Sequence, residues 1–441
     1  MINFNDYGKM IRRYAGQGQV RSSKEPWPCS FECVQYSDAR IGIACRDLIL
    51  KDAKTVQEFL GIHDRTDDVE FTGVTDEGYH IEASSCWALE SKITFAAQGG
   101  IREPPQLYLS CPSVRVTSDV KDAPSEVRFS LVNFEFSHTE MSIPTIPDGT
   151  VLSISRIEGY DNIIKALRGT RGVDVTCQAA AKIDRPDRLP DVRQNVEEVC
   201  SLLTLARGTR VDWINYDVIA RSGSLIFSEW AERITKLFGF LPLIPANDRL
   251  LEMNTKCFVE SAYPRLERAE KDWGIRRAID SYTDAKAESG FLELRALMMV
   301  VCMEFLKGRY LSRIGKVNIL PEDLFDGVRP QMESALKEIV EPVAQRAIED
   351  EEEAGKAIHM MMSHVRGLNY YPFGRALSEM CTETGFEADS DSRYRFKAIR
   401  DHLVHYESFH PDYGTGWEQF SFLNCFVGGF LSSILGCKVP A

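Results

Sequence analysis

An arginine and a histidine stand five residues apart in the late segment Arg400-Asp401-His402-Leu403-Val404-His405. An arginine side chain can clamp a phosphate group, and a histidine side chain can move a proton near neutral pH. A ribonuclease that works without a metal ion needs both abilities. The spacing alone is a weak signal, because about half a match of this kind is expected by chance in a chain of ordinary composition.

Helix geometry separates these two side chains. Five residues on an α-helix place Arg400 and His405 about 140° apart around the axis and about 7.5 Å apart along it. One helix therefore does not bring both groups to one phosphate, whereas two such helices from two copies of the chain could surround it. A surface arginine beside a half-buried histidine explains the same spacing without any chemistry.

Other basic side chains precede the pair within two helical turns. We predict that Arg393, Arg395 and Lys397 contact the RNA backbone. His402 lies three residues before His405, so both could line one side of a helix and contact RNA. A solvated side chain is the simpler interpretation of His402.

The overall charge restricts where nucleic acid could bind. The 441 residues carry a formal net charge of −13, which argues against a broad basic surface that coats nucleic acid. Only a small basic cleft remains compatible with that charge. The 12 cysteines lack the paired spacing of a zinc site or a disulfide framework. We therefore predict free, mostly buried thiols, no metal site and no cofactor.

The most apolar late stretch runs from Trp417 to Gly436 and approaches the length of a membrane span. Glu418, Gln419 and Asn424 interrupt it, so a buried helix of a bundle is the better prediction. The first residues lack the apolar segment of a secretory signal. We expect a cytoplasmic protein that does not associate with a membrane.

The elements that must position these groups change character along the chain. Short runs with alternating apolar and polar residues recur between about residues 25 and 160, which predicts antiparallel strands in a sandwich or a barrel. A helix is predicted from Pro190 to Ala206, followed by two strands, VDWINYDVIA and GSLIFSEW. Helical patterns follow Pro245, including one from Pro264 to Lys286 and one from Asp391 to Glu407. The predicted fold class is α+β, with an antiparallel β-rich domain at 1–245 and an all-α helical bundle at 246–441.

The helical part resembles the HEPN superfamily. Arg400, a polar residue, three further residues and His405 on the penultimate helix match the pattern of that superfamily, in which asparagine, aspartate or histidine is usual at the position of Asp401. The final segment FLSSILGCK is similar to the last helix of phage-exclusion (ApeA-like) HEPN proteins. The segment from Phe291 to Tyr310 resembles the early helix of that bundle, which often carries an acidic residue, here Glu304.

This resemblance implies a metal-independent endoribonuclease of a prokaryotic anti-phage defence or toxin-like system. His405 would assist proton transfer as the RNA 2′-hydroxyl attacks the adjacent phosphate, and Arg400 would hold that phosphate. Asp401 would orient a histidine or simply occupy a polar position, and Glu304 would support the site. The implied site is shared within a homodimer formed by the helical domain, while the β-rich domain would sense a phage-derived or other protein trigger.

Two other functions remain open at this stage. The helical bundle could only dimerise or bind a partner without catalysing a reaction, which the acidic composition favours. Alternatively, the chain could be an antitoxin-like HEPN partner of a nucleotidyltransferase.

Overall fold

The computed structural model describes most of the chain. The described residues are 9–22, 26–64, 69–95, 101–136, 138–144, 150–233, 241–244, 254–286, 291–405 and 413–438. Strands dominate up to residue 231. After that residue, the described part of the chain contains helices and no further strand. The predicted α+β class is confirmed. Two compact units form: one comprises 1–266, 282–291 and 437–440, and the other comprises 267–281, 292–436 and 441.

The first unit contains thirteen strands in its described residues, and every pairing between them is antiparallel. The strands are β1 (Met10–Arg21), β2 (Trp27–Tyr36), β3 (Ile41–Arg46), β4 (Val69–Thr75), β5 (His80–Phe95), β6 (Ile101–Ser110), β7 (Ser113–Thr117), β8 (Pro124–Val132), β9 (Glu140–Pro144), β10 (Val151–Arg156), β11 (Val175–Lys182), β12 (Asp212–Ala220) and β13 (Leu225–Ala231). Three α-helices accompany them: α1 (Ala53–Leu60), α2 (Tyr160–Thr170) and α3 (Leu189–Arg207).

Six of these strands close into a ring in the order β4, β1, β2, β3, β6, β5, with β5 pairing back to β4. Alternate side chains fill its interior, as the period of two requires. Glycines make room for aromatic rings there: a Cβ atom on Gly73 would lie 2.7 Å from the Phe31 ring, and one on Gly18 would lie 2.7 Å from the Phe71 ring. Of the two predicted architectures, a sandwich and a barrel, the barrel therefore describes this part of the sheet.

The long strand β5 also pairs with β7, from which the sheet continues through β13, β12, β8, β11 and β10 to β9. Helix α3 packs against β12, and helix α2 packs against β11. The apolar residues Val192, Val196, Val199 and Leu203 of α3 are buried, as the predicted helical stripe requires. Arg12 of β1 connects the ring to β12 through two 2.7 Å contacts with the Asp217 carboxylate.

One short α-helix, α1, interrupts the region between about residues 25 and 160 that was predicted to form strands. Helix α1 begins after Asp52, whose side chain accepts a hydrogen bond from the Thr55 backbone N–H while the Thr55 hydroxyl contacts the Asp52 backbone N–H. This reciprocal capping stabilises a helix start that strand periodicity does not reveal. All 12 cysteines lie within the described residues and none forms a disulfide, and only Cys257 and Cys425 are not buried, so the prediction of mostly buried thiols is confirmed.

Eight α-helices are described in the C-terminal half of the chain. They are α4 (Thr255–Trp273), α5 (Ile275–Lys286), α6 (Leu292–Arg313), α7 (Glu322–Ala347), α8 (Glu351–Ser363), α9 (Phe373–Thr384), α10 (Ser390–His405) and α11 (Tyr413–Ile434). The predicted helix from Pro264 to Lys286 was wrong in its boundaries. Pro264 lies inside α4, and Gly274, with a φ of +63°, separates α4 from α5.

The second unit is a helical bundle around α6. Helix α11 packs along α6, and α9 and α10 pack against α6 and against each other. Both helices contribute buried side chains, which are Met299 and Met303 on α6 and Phe420, Leu423 and Val427 on α11. Among the described residues, no helix combines the length and the apolar composition that crossing a lipid bilayer requires.

Candidate active site

Arg400 is fixed at the contact between α10 and α6. Its Nε atom donates a 2.8 Å hydrogen bond to Glu304 Oε1, and its Nη2 atom lies 2.7 Å from the same oxygen. Its Nη1 atom donates a 2.7 Å hydrogen bond to Asp401 Oδ1. The guanidinium group also lies 5.1 Å above the ring centre of Phe373, the first residue of α9. Three helices therefore hold this one side chain.

Two lysines extend the ion pairs of Arg400 in both directions. Lys307 Nζ lies 2.8 Å from Glu304 Oε2, one turn along α6, and Lys397 Nζ lies 2.6 Å from Asp401 Oδ2, one turn along α10. The charges alternate along the row Lys307, Glu304, Arg400, Asp401, Lys397, which we call the charged row. Its three cations exceed its two carboxylates by one positive charge. The row therefore carries a net positive charge within a chain that is acidic as a whole.

The protonation states within the charged row are secured by its contacts. Partial burial opposes ionisation of Asp401, but the hydrogen bonds from Lys397 and Arg400 outweigh it and lower the pKa of the carboxyl group. Partial burial likewise disfavours the charged form of Arg400, but hydrogen bonds to Asp401 and Glu304 leave its pKa raised. Both groups are therefore charged throughout the physiological pH range.

An anion could still bind to Arg400 in this arrangement. A guanidinium group has five N–H donors, and three nitrogen–oxygen contacts to carboxylates engage it here. The side chain retains 20% of its possible exposure. A phosphate oxygen would compete with Asp401, which is the more exposed of its two carboxylate partners, at 32% against 28%. Glu304 would then keep the guanidinium in place.

The predicted site residues separate into different surroundings. Glu304, Arg400, Asp401 and Lys397 come together in the charged row, although their roles stay predictions. Arg393 instead donates a 2.5 Å hydrogen bond to the Ala388 backbone oxygen, which ties α10 to the segment that precedes it. His405 is the last residue of α10, but its side chain lies outside the described part of the structure. The pairing of Arg400 with His405 therefore stays a prediction.

Arg395 and His402 lie on another face of α10, where they border a cavity of about 380 Å³ between α10 and α11. The Arg395 guanidinium lies 4.5 Å above the ring centre of Phe422 on α11. These two predicted RNA-binding residues are thus separated from Lys397, which contacts Asp401.

Sequence reasoning missed Lys307. Its spacing of three residues after Glu304 on a predicted helix is a signal that could have identified it, because such pairs face each other. Among the described residues, no group of three or more His, Cys, Asp or Glu side chains is arranged to hold a metal ion.

The chain matches no protein-family model, no curated protein and no solved structure. The resemblance to HEPN proteins therefore rests on the residues quoted for it, and it stays a prediction.

Proposed function

We propose that this protein is a metal-independent endoribonuclease of the HEPN kind, acting in the cytoplasm of a prokaryotic cell in anti-phage defence or as a toxin. The observation that carries the proposal is the double anchoring of Arg400 by Glu304 and Asp401 within a row that has a positive excess. A fixed guanidinium group with accessible N–H donors suits the charge that grows on a phosphate during RNA cleavage.

The proposed reaction uses the RNA's own nucleophile. A general base removes the proton of a 2′-hydroxyl, whose oxygen attacks the neighbouring phosphorus, and a general acid protonates the 5′-oxygen that leaves. The products are a 2′,3′-cyclic phosphate and a 5′-hydroxyl. His405 is the candidate for one of these proton transfers, and the same residue of a second copy is the candidate for the other. DNA lacks the 2′-hydroxyl and should not be cleaved.

A second copy of the chain has a candidate binding surface on α7. Six residues of this helix form one exposed stripe at spacings of four and three residues, which is typical of helix pairing. We call this surface the α7 stripe: Leu324, Val328, Met332, Ala335, Ile339 and Val343.

The charges of α7 fit an antiparallel arrangement of two copies. Its first turn carries Glu322 and Asp323, and its last turn carries Arg346. An antiparallel pair would place these opposite charges together and would align the two helix dipoles favourably. We therefore assign the α7 stripe to the proposed homodimer, while the β-rich unit is the candidate sensor of a protein trigger.

The decisive experiment compares RNA cleavage by the full chain in EDTA for the unmodified protein, Arg400→Ala, His405→Ala and Arg375→Ala. Arg375 is a matched control, because it is an exposed arginine of the same bundle paired with a glutamate, Glu379. We expect the first two variants to lose about 100-fold in rate or more, and Arg375→Ala to keep its activity. Equal rates in all four proteins, or loss of activity in EDTA, would contradict the proposal.

A non-catalytic binding protein is the second candidate function. It is favoured by one observation, namely that carboxylates already engage every nitrogen of the Arg400 guanidinium. In that case the charged row would only stabilise the contact between α6 and α10. A protein that dimerises but neither binds nor cleaves RNA would support this alternative.

A further inference from the structure

We propose that the cavity between α10 and α11 binds an unpaired guanine base of the RNA and so selects where the RNA is cut. This inference rests on the proposed ribonuclease function. The cavity is formed where the C-terminal half of α10 and the first turns of α11 leave a space of about 380 Å³. That volume lies near the lower end for small-molecule sites, which suits a single nucleotide rather than a duplex.

Apolar side chains of α10 form one wall of this cavity. Ala398, Ile399 and Leu403 line it, and the last two are buried, with exposed fractions of 7% and 8%. A base that leaves its stack loses apolar contact with its neighbours, and an apolar wall replaces part of that contact. A flat heterocycle is therefore a better occupant than a sugar or a free phosphate.

The polar side chains around the cavity have complementary abilities. Arg395 and His402 of α10 stand on one side, and Glu418 and Gln419 of α11 stand on the other. A cation at the first side suits the phosphate or ribose that accompanies a base. Within the described part of the chain, no hydrogen bond or ion pair engages the Glu418 carboxylate or the Gln419 amide. Glu418 is exposed and Gln419 is half-buried, so a ligand in the cavity can reach both side chains.

The carboxylate of Glu418 favours guanine among the four bases. Guanine presents two adjacent donors on its Watson–Crick edge, the N1–H and the exocyclic amino group, and a carboxylate can accept from both at once. Adenine and cytosine each place an acceptor beside their amino group, and uracil offers a single N–H between two carbonyl groups. The Gln419 amide can donate to the O6 acceptor of guanine.

The test uses binding of RNA that cannot be cleaved. Four fluorescently labelled 2′-O-methyl pentanucleotides, with uridine at the flanks and G, A, C or U at the centre, are titrated with the full chain while fluorescence anisotropy is measured. We expect the guanine-centred RNA to bind about tenfold more tightly than the others. Glu418→Gln should remove this preference, and an inosine centre, which lacks the amino group, should give an intermediate affinity.

Glu351→Gln is the matched control, because Glu351 is an exposed carboxylate on α8 of the same bundle. This variant should keep the preference for guanine. Equal affinity for all four RNAs, a preference that survives Glu418→Gln, or no binding to any of them would overturn the inference. Metal-free cleavage without a guanine preference would reject this inference alone, whereas guanine-specific binding without cleavage would reject only the proposed catalytic function.

Discussion

Glu304 Oε1 accepts a 2.8 Å hydrogen bond from Arg400 Nε and lies 2.7 Å from Arg400 Nη2, although the two residues are 96 positions apart in the sequence. A carboxylate that engages two nitrogens of one guanidinium group restricts both its position and its rotation. Lys307 holds the other oxygen of the same carboxylate at 2.8 Å. Glu304 is thus placed to position Arg400, and in the proposed ribonuclease it would not itself touch the RNA.

Glu304→Gln should separate positioning from catalysis. The amide can still accept a hydrogen bond from Arg400, but it lacks the charge that restrains the guanidinium group, so we expect the cleavage rate to fall about tenfold. The loss should appear mainly in kcat, because the phosphate-binding group itself remains. The free energy of unfolding should fall by about 1 kcal/mol in urea titrations, since the ion pair is only partly buried.

Glu293→Gln is the control for that change, because Glu293 is an exposed carboxylate in the first turn of the same helix, α6. It should leave the rate unchanged and lower the stability by only about 0.3 kcal/mol, the contribution of an exposed carboxylate near the start of a helix. If Glu304→Gln destabilises the protein but leaves kcat unchanged, then Glu304 has only a structural role.

Asp401 should make the stability of the protein depend on pH. Its partial burial raises the pKa, but the hydrogen bonds from Lys397 and Arg400 prevail, so its pKa in the folded protein is lower than in the unfolded chain. A group of this kind stabilises the fold above its unfolded pKa, about 4, and loses that contribution as the pH falls through the folded value. Asp401→Asn should therefore be less stable than the unmodified protein at pH 7.

The difference between these two proteins should shrink as the pH falls below about 4, because the unmodified Asp401 then takes up a proton too. Urea titrations at a series of pH values measure it. A difference that stays constant down to pH 2 would show that the carboxylate is not the stabilising group.

Local sequence patterns predicted where individual helices and strands lie better than they predicted how these elements contact each other. Helix α10 was predicted from Asp391 to Glu407 and is described from Ser390 to His405, because capping residues and apolar periodicity act within one helix. Pro264 misled the prediction of α4, since burial of Phe258, Val259 and Leu266 outweighs the preference of proline for a helix start.

The charged row could be predicted only in part. Pairs such as Lys397 and Asp401 follow from spacing along one helix. The contact of Arg400 with Glu304 depends on how α10 packs against α6, and no periodicity of either helix specifies that register. The pairing of β4 with β5 that closes the strand ring could not be predicted from the sequence either, because strand pairing depends on distant parts of the chain.

Ile339→Glu should disrupt the proposed dimer. The side chain of Ile339 is 68% exposed in the α7 stripe, so the substitution costs the isolated chain little, but a second copy would have to bury the new charge. We expect the mass measured by analytical ultracentrifugation to fall from that of two chains to that of one, with loss of cleavage if the site is shared.

Ser334→Glu places the same charge on α7 outside the stripe, at an exposed position on the opposite side, and should leave the dimer intact. Dimers that persist in Ile339→Glu would assign the interface to another surface. A monomeric unmodified protein would reject the proposed dimer itself.

Gly73→Val should destabilise the strand ring. A Cβ atom at Gly73 would lie 2.7 Å from Phe31 Cε1 and 3.2 Å from the Gln17 backbone oxygen, and valine adds two further methyl groups. Because Phe31 is buried and packs edge-to-face against Phe71 at 5.0 Å, its ring cannot move away without disturbing the interior. We expect a loss of about 2 kcal/mol or more in the free energy of unfolding, measured by urea titration.

Gly169→Ala is the control, because Gly169 lies in α2 with no atom near the added Cβ. This variant should keep the stability or raise it by up to about 1 kcal/mol. Equal stability of Gly73→Val and the unmodified protein would contradict the tight packing between Phe31 and β4.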